Sequence, residues 1–215
     1  NGLYGSTTGL FMLPMGSGNG YARHFGLASW EDSFRSQPQD LKKVEVAVGS
    51  FNGKYFLNVA GIGLDAFLAK TFQESEKRGL GSYVKKTVGA LFSANTYQKF
   101  GFTVDQRAQQ GWWLVAALGS QYGNDYFISE AADPAKGQFI TLDIPCPNGI
   151  SIMGWVAKGP AKCLEVLPDV KMEKRNELQI TFDRPVPCHV DGEPVGDLLE
   201  VDIQIASKKL TLWLP

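Results

Sequence analysis

The chain has 215 residues, 44% of them apolar, and carries 21 Lys plus Arg against 22 Asp plus Glu. That length supports one large core or two small domains, and the balanced charge excludes a global field steering the protein to nucleic acid or an anionic membrane, so an anionic ligand must be met locally. Cys146, Cys163 and Cys188 are odd in number and form no Cys-x-x-Cys pair, which reads as free thiols in a reducing, cytoplasmic setting; without an apolar run of transmembrane length or a signal-peptide pattern, the sequence reads as soluble, able to touch a membrane only at its surface.

In chain order, Leu10 to Leu13 is strand-like and runs into Gly16-Ser17-Gly18-Asn19-Gly20, with a helix expected from about Tyr21. The polar stretch Ser33 to Asp40 closes this first unit. Val44 to Val48 and Tyr55 to Val59 flank Asn52-Gly53, a strong hairpin signal. Leu80, Tyr83, Val84, Thr87, Val88, Leu91 and Phe92 repeat at helical spacing, predicting an amphipathic helix near Ser82 to Ser93 with Ser82 as N-cap. Lys77, Arg78, Lys85 and Lys86 around its first turns read as a solvated face, with a lipid-phosphate contact as the lesser reading. Strand signals then dominate: Phe100 to Val104, Trp112 to Leu118, Gln138 to Ile144, Leu178 to Phe182, Val186 to Val190, Leu199 to Ile205 and Leu210 to Leu214. Short turns between them predict an antiparallel β-sandwich; Cys163 to Leu167 is ambiguous.

Three stretches carry candidate chemistry. In Gly16 to Gly20, glycines allow close backbone approach and the following helix start offers free N–H groups, which is how a phosphate cradle is built. A purely geometric strand-to-helix connection is the plainer account. The pattern is neither Walker A nor the dinucleotide Gly-x-Gly-x-x-Gly. Asn58 to Ala66 reads as a strand ending at a bulge, with Asp65 capping the next helix. Asp191-Gly192 between extended segments reads as a hairpin turn, which leaves Glu193 unexplained. His24 and His189 read as structural histidines, and Cys188-His189 lacks the partners of a zinc site.

Pro14, Gly16, Asn19, Ala22, Arg23 and Gly26 resemble the Pro-x-Gly-Thr-x-Asn-Asp-x-Ala-Arg segment of the lipid kinase superfamily, which holds bacterial diacylglycerol kinases and sphingosine kinases; Ser17 stands for its threonine and Gly20 for its aspartate. Gly61-Ile62-Gly63-Leu64-Asp65-Ala66 resembles the family's Gly-x-Gly-x-Asp-Ala block, and Val190-Asp191-Gly192-Glu193 its Val-Asp-Gly-Glu block. The resemblance implies an α+β, mainly β fold: residues 1–40 as the remnant of a NAD kinase-like nucleotide lobe, 41–205 as a β-sandwich lipid-substrate domain with a few helices, and 206–215 returning to the lobe. It implies an ATP-dependent lipid kinase with Gly16, Ser17, Gly18 and Asn19 at the nucleotide phosphates. Ser17 would donate to a phosphate, Asn19 would brace the turn, and Arg23 would serve as an ion-pair partner or a ligand contact. Asp65 would meet the substrate's polar head, Glu193 would be the general base, and Asp191 its electrostatic or metal-linked neighbour. ATP and Mg²⁺ are implied, with a lipid alcohol as acceptor at a membrane surface; no nucleic acid is, and a homodimer stays open.

Departures from the family pattern qualify this. Gly20 removes one carboxylate, and Lys136 beside Ala132 and Asp133 stands in the acidic loop where family members bind a structural magnesium, so no metal ligand is assigned. A non-catalytic lipid- or nucleotide-binding protein on this scaffold, or a NAD kinase-like enzyme, are the alternatives. Asn1-Gly2-Leu3 matches the end of the family helix that follows Gly-Gly-Asp-Gly-Thr. That match implies that most of the nucleotide lobe lies upstream and that residues 1–215 alone lack appreciable kinase activity.

Overall fold

The computed structural model describes residues 2–16, 18–73, 99–123, 125–146 and 163–215. The helix expected at Ser82 to Ser93, with its surrounding lysines and arginine, lies outside the described residues, as does Ser17. The first elements are β1 (Leu10–Phe11), α1 (Gly20–His24), β2 (Lys42–Val46), β3 (Gly49–Phe51), β4 (Lys54–Phe56), β5 (Val59–Gly63) and α2 (Leu64–Gln73). There follow β6 (Phe100–Val104), β7 (Arg107–Gly111), β8 (Trp113–Ala117), β9 (Gln121–Gly123), β10 (Tyr126–Phe127), β11 (Phe139–Ile144) and β12 (Lys171–Arg175). The last three are β13 (Glu177–Val190), β14 (Glu193–Ile205) and β15 (Leu210–Leu214).

The architecture is α+β and mainly β, built among the described residues on a ten-stranded antiparallel sheet and a small sheet of order β1-β15-β2. In the small sheet Leu212 lies between Leu10, to which its strand runs parallel, and Val44, to which it runs antiparallel. Val46, Val48, Leu210 and Leu212 bury its core. The chain end thus closes onto the N-terminal unit.

The spine of the large sheet is the hairpin of β13 and β14, 14 and 13 residues long. Their register shifts between Thr181 and Val186, where Pro185 has no N–H to give the ladder. On its other edge β13 pairs β6 through Thr181 and Phe182, then β5 through Cys188, His189 and Val190. The sheet therefore forks, with β6 and β7 on one branch and β5, β8, β11 and β12 on the other. β8 reads as an unbroken apolar run because both of its faces are buried: Leu114 and Ala116 enter one core with Phe102, Ile180 and Ile203, and Trp113, Val115 and Ala117 enter a second with Ile128, Ile140 and Leu142.

Several expectations are corrected. Asn52-Gly53 does turn the chain, with positive φ at both residues, but the hairpin is short, pairing Gly49 with Phe56 and Phe51 with Lys54. Val44 pairs β15 instead of the Tyr55 to Val59 segment. The chain bends at Ala47, whose N–H goes to Pro134 O, and the two halves sink into different cores. β2, expected in the 41–205 domain, thereby stands in the small sheet. The Tyr55 to Val59 strand is also split, because the amides of Leu57 and Asn58 leave the ladder to bind Asp191. The two strands expected at Leu178 to Phe182 and Val186 to Val190 are one bent strand. β12 was not foreseen: Lys-Met-Glu-Lys-Arg lacks strand patterning, yet an exposed edge strand needs only backbone pairing, which β11 supplies.

Candidate functional site

The glycine turn is built by Asn19. Its φ of 54° is left-handed, its Oδ1 accepts from Gly16 N–H at 2.8 Å, and its Nδ2 donates to Pro14 O at 3.2 Å, so the side chain ties both ends of the turn together. The turn and α1 lie directly against β9, where Asn19 bridges Gly123. A Cβ on Gly20 would stand 2.5 Å from Gln121 O and from the carbonyl atoms of Tyr122. Glycine is the residue that permits this approach. Arg23 is mostly buried, 3.6 Å from Asp125.

The acidic turn lies at the tip of the β13–β14 hairpin, with φ of 49° at Asp191 and 86° at Gly192. Asp191 is exposed as a residue, but its carboxylate folds inward and accepts from the N–H groups of Leu57, Asn58 and Val59 at 2.8 to 2.9 Å. Desolvation raises its pKa, and the three amides act against that rise. Its own N–H donates to Val59 O at 2.8 Å. Asp191 therefore clamps the turn to the start of β5, and both its oxygens are occupied. Glu193 opens β14 opposite Val190 and is exposed, and no group among the described residues holds its carboxylate.

Asp65 is placed otherwise than expected. It stands one residue inside α2, not at its cap, and its side chain is 6% exposed. Tyr122 on β9 donates to Asp65 Oδ2 at 2.7 Å, and His189 Nε2 lies 3.0 Å from the same oxygen. That nitrogen makes no well-aligned hydrogen bond, so the pair is a close contact and not a hydrogen-bonded one. The carboxylate faces inward, away from any substrate at the surface. His189 lies directly across the ladder from Gly61, and a Cβ there would collide with both Asp65 Oδ2 and His189 Nε2. Gly61→Ala is accordingly expected to cost about 1–3 kcal/mol, since buried groups must shift to accept the methyl, and to lower Tm measurably in thermal unfolding. An unchanged Tm would show that Asp65 and His189 have room to move.

These contacts bring the three motifs together. The glycine turn abuts β9; Tyr122 of β9 reaches Asp65; Asp65 meets His189, which precedes the acidic turn. Asn58 makes a second link, donating from Nδ2 to Gln121 O at 3.1 Å while its amide binds Asp191. From α1, Tyr21 has its pKa raised by burial and by the charge of Asp191. Tyr122 was missed as a site residue; the sequence signal nearest to it was the pair of glycines at 119 and 123.

Asp133 caps Ala135 N–H and sits 3.7 Å from Lys136, and among the described residues no group of three His, Cys, Asp or Glu could hold a metal ion. Nearby, His24 Nδ1 accepts from Ser120 N–H and lies 2.8 Å from Ser120 Oγ. Burial lowers its pKa, with Asp133 pulling the other way. The unfolded chain then takes up this proton at higher pH than the folded one, so stability falls as pH drops below about 6.5. Between about pH 7.5 and 5.5, His24→Gln is expected to lose less Tm than the parent; equal losses would remove His24 from the linkage.

This fold, a forked antiparallel sheet closed by a small sheet that carries a glycine turn, has counterparts among solved structures. Three solved structures from Bacillus anthracis str. Sterne share it. One, assigned as a diacylglycerol kinase, has a TM-score of 0.59 at 16% identity over 93% of this chain and 67% of its own length. A diacylglycerol kinase gives 0.57 at 15% identity over 94% and 65%. A third, again assigned as a diacylglycerol kinase, gives 0.63 at 16% over 94% and 68%. The chain thus spans about two thirds of their length. No protein-family model and no curated protein matches it, and no helix among the described residues is long and apolar enough to cross a membrane.

Proposed function

We propose that this chain forms the acceptor side of an ATP-dependent lipid kinase, which moves the γ-phosphoryl group of ATP to the hydroxyl of a diacylglycerol or a sphingoid base. The observation that carries the reading is the convergence of the glycine turn, the Asp65 segment and the Asp191-Gly192-Glu193 turn through β9, although they are far apart in sequence. A small cleft in the sheet fork is lined by apolar Ile62, Phe102, Val104, Leu114, Leu178 and Ile180 and also by charged Asp143, Lys171, Glu173 and Arg175, so it does not by itself argue for a lipid chain.

In this reading the exposed Glu193 carboxylate takes the proton of the lipid hydroxyl as its oxygen attacks the γ-phosphorus, because an alcohol at neutral pH is a poor nucleophile. The same reading assigns the Gly16-Ser17-Gly18-Asn19 turn to the nucleotide phosphates. Asp191, with both oxygens held by amides, positions the turn. The described residues do not by themselves fit a Mg²⁺ site, and no step is derived through the metal. A non-catalytic binding protein is the second reading, favoured by the Lys136–Asp133 pair in the loop that binds magnesium in the family. The full-length protein is to be incubated with radiolabelled ATP, Mg²⁺ and mixed micelles of diacylglycerol or sphingosine, with NAD as a third acceptor. Labelled lipid is the expected product. Label on NAD would make it a NAD kinase-like enzyme, and lipid or ATP binding without transfer would establish the non-catalytic reading.

A further inference from the structure

His189 is a polar side chain at a position that strand patterning would fill with an apolar one. It is 2% exposed, flanked by Cys188 and Val190 in the buried register of β13, and an unpaired polar group there is costly. What it does is visible on its other nitrogen: Gly192 N–H donates to His189 Nδ1 at 3.1 Å. The second loop residue of the hairpin is thereby tied to the strand that leads into the turn. The first loop residue is already fixed, since Asp191 N–H goes to Val59 O and its carboxylate to three amides. Gly192 is the remaining joint between that clamp and Glu193.

We infer that His189 is a positioning residue: by accepting from Gly192 N–H it sets the direction in which Glu193 leaves the turn. This rests on the proposed role of Glu193. The Gly192 donor requires an unprotonated Nδ1, so the imidazole carries its proton on Nε2, toward Asp65. Asp65, held in turn by Tyr122 at 2.7 Å, lies 3.0 Å from Nε2 and packs against the ring on that side. The base is thereby referenced through His189, Asp65 and Tyr122 to β9, the strand on which the glycine turn rests. Misplacement of a reacting group by about 1 Å can cost on the order of 10²-fold in rate, so a tether of this kind has a catalytic consequence without touching substrate.

Two substitutions separate the nitrogens. His189→Asn keeps an oxygen acceptor near the Nδ1 position and loses Nε2; His189→Gln reaches the Nε2 position and removes the Nδ1 acceptor that Gly192 N–H uses. In the full-length protein His189→Gln is expected to lower kcat at least about tenfold, with KM for ATP within about threefold, and His189→Asn to bring kcat back to within about threefold of the parent. Exchange of the Gly192 amide with deuterium, followed by nuclear magnetic resonance, should run at least about tenfold faster in the Gln variant and stay near the parent rate in the Asn variant. Equal loss of kcat in both variants, or equal Gly192 exchange in all three proteins, overturns the inference. If the parent transfers no phosphate to lipid, the functional reading fails, while the exchange rates still decide whether His189 holds the turn. If both variants fail to fold, the imidazole nitrogen shifts of the parent decide it: an Nε2–H tautomer at neutral pH supports the tether, and a protonated Nδ1 refutes it.

Discussion

Replacing Glu193 by Gln in the full-length protein is expected to slow phosphoryl transfer to lipid by about 10²–10⁴-fold, the usual contribution of a general base, with the fold intact. The amide has the size of the carboxylate but cannot take a proton at neutral pH. Stability should hold because Glu193 is exposed and its carboxylate has no partner among the described residues to lose; surface changes of this kind stay within about 0.5 kcal/mol. The turn should also hold, since its anchors are Asp191 and the Gly192 amide. The measurement is kcat with lipid varied, beside a thermal unfolding curve. A variant within about threefold of the parent would take the base role away from Glu193.

Gly20→Asp, which places at position 20 the aspartate of the lipid kinase motif this turn resembles, is expected to damage the protein and repair nothing. The added Cβ would lie 2.5 Å from Gln121 O and from Tyr122 C and O, and these are backbone atoms that cannot turn aside. Either α1 moves off β9 and the Asn19–Gly123 bridge breaks, or β9 distorts and carries Tyr122 with it. Overpacking against fixed atoms costs about 3 kcal/mol, and at about 2–4 °C per kcal/mol for a chain of this size Tm should fall by about 6–12 °C. Gly20→Ala is the control, since it adds the same carbon without the charge. Equal losses in the two variants would mark a steric cause, while an Asp variant as stable as the parent would mean that β9 yields easily. On this account the departure at position 20 follows from how tightly this chain packs its glycine turn.

Much of this was legible in the chain. Asn52-Gly53 and Asp191-Gly192 were readable as turns, and Gly16 to Gly20 as a tight connection, because a turn is decided by the φ/ψ preferences of two or three adjacent residues. Asn52, Gly53, Asp191 and Gly192 all carry positive φ in the structure, and in the glycine turn Asn19 does so among the described residues. β15 matches its apolar run residue for residue, Leu210 to Leu214, and β8 and β11 fall within a residue of theirs, since burial imprints itself on composition.

The sequence by itself determined where the chain turns, which runs are buried, and which short motifs could carry phosphate and proton chemistry. The tertiary structure alone decided what each of these faces. Leu57 and Asn58 leave the strand because Asp191, more than 130 positions away, takes their amides. Val44 finds β15 and not its sequence neighbour, and Asp65 turns inward because Tyr122 and His189 reach it from other strands. Local preference is a property of a few dihedrals and is written in adjacent residues. Partner choice in a sheet, and the burial of one carboxylate over another, depend on which distant segments share the same space, and that is settled only when the whole chain packs.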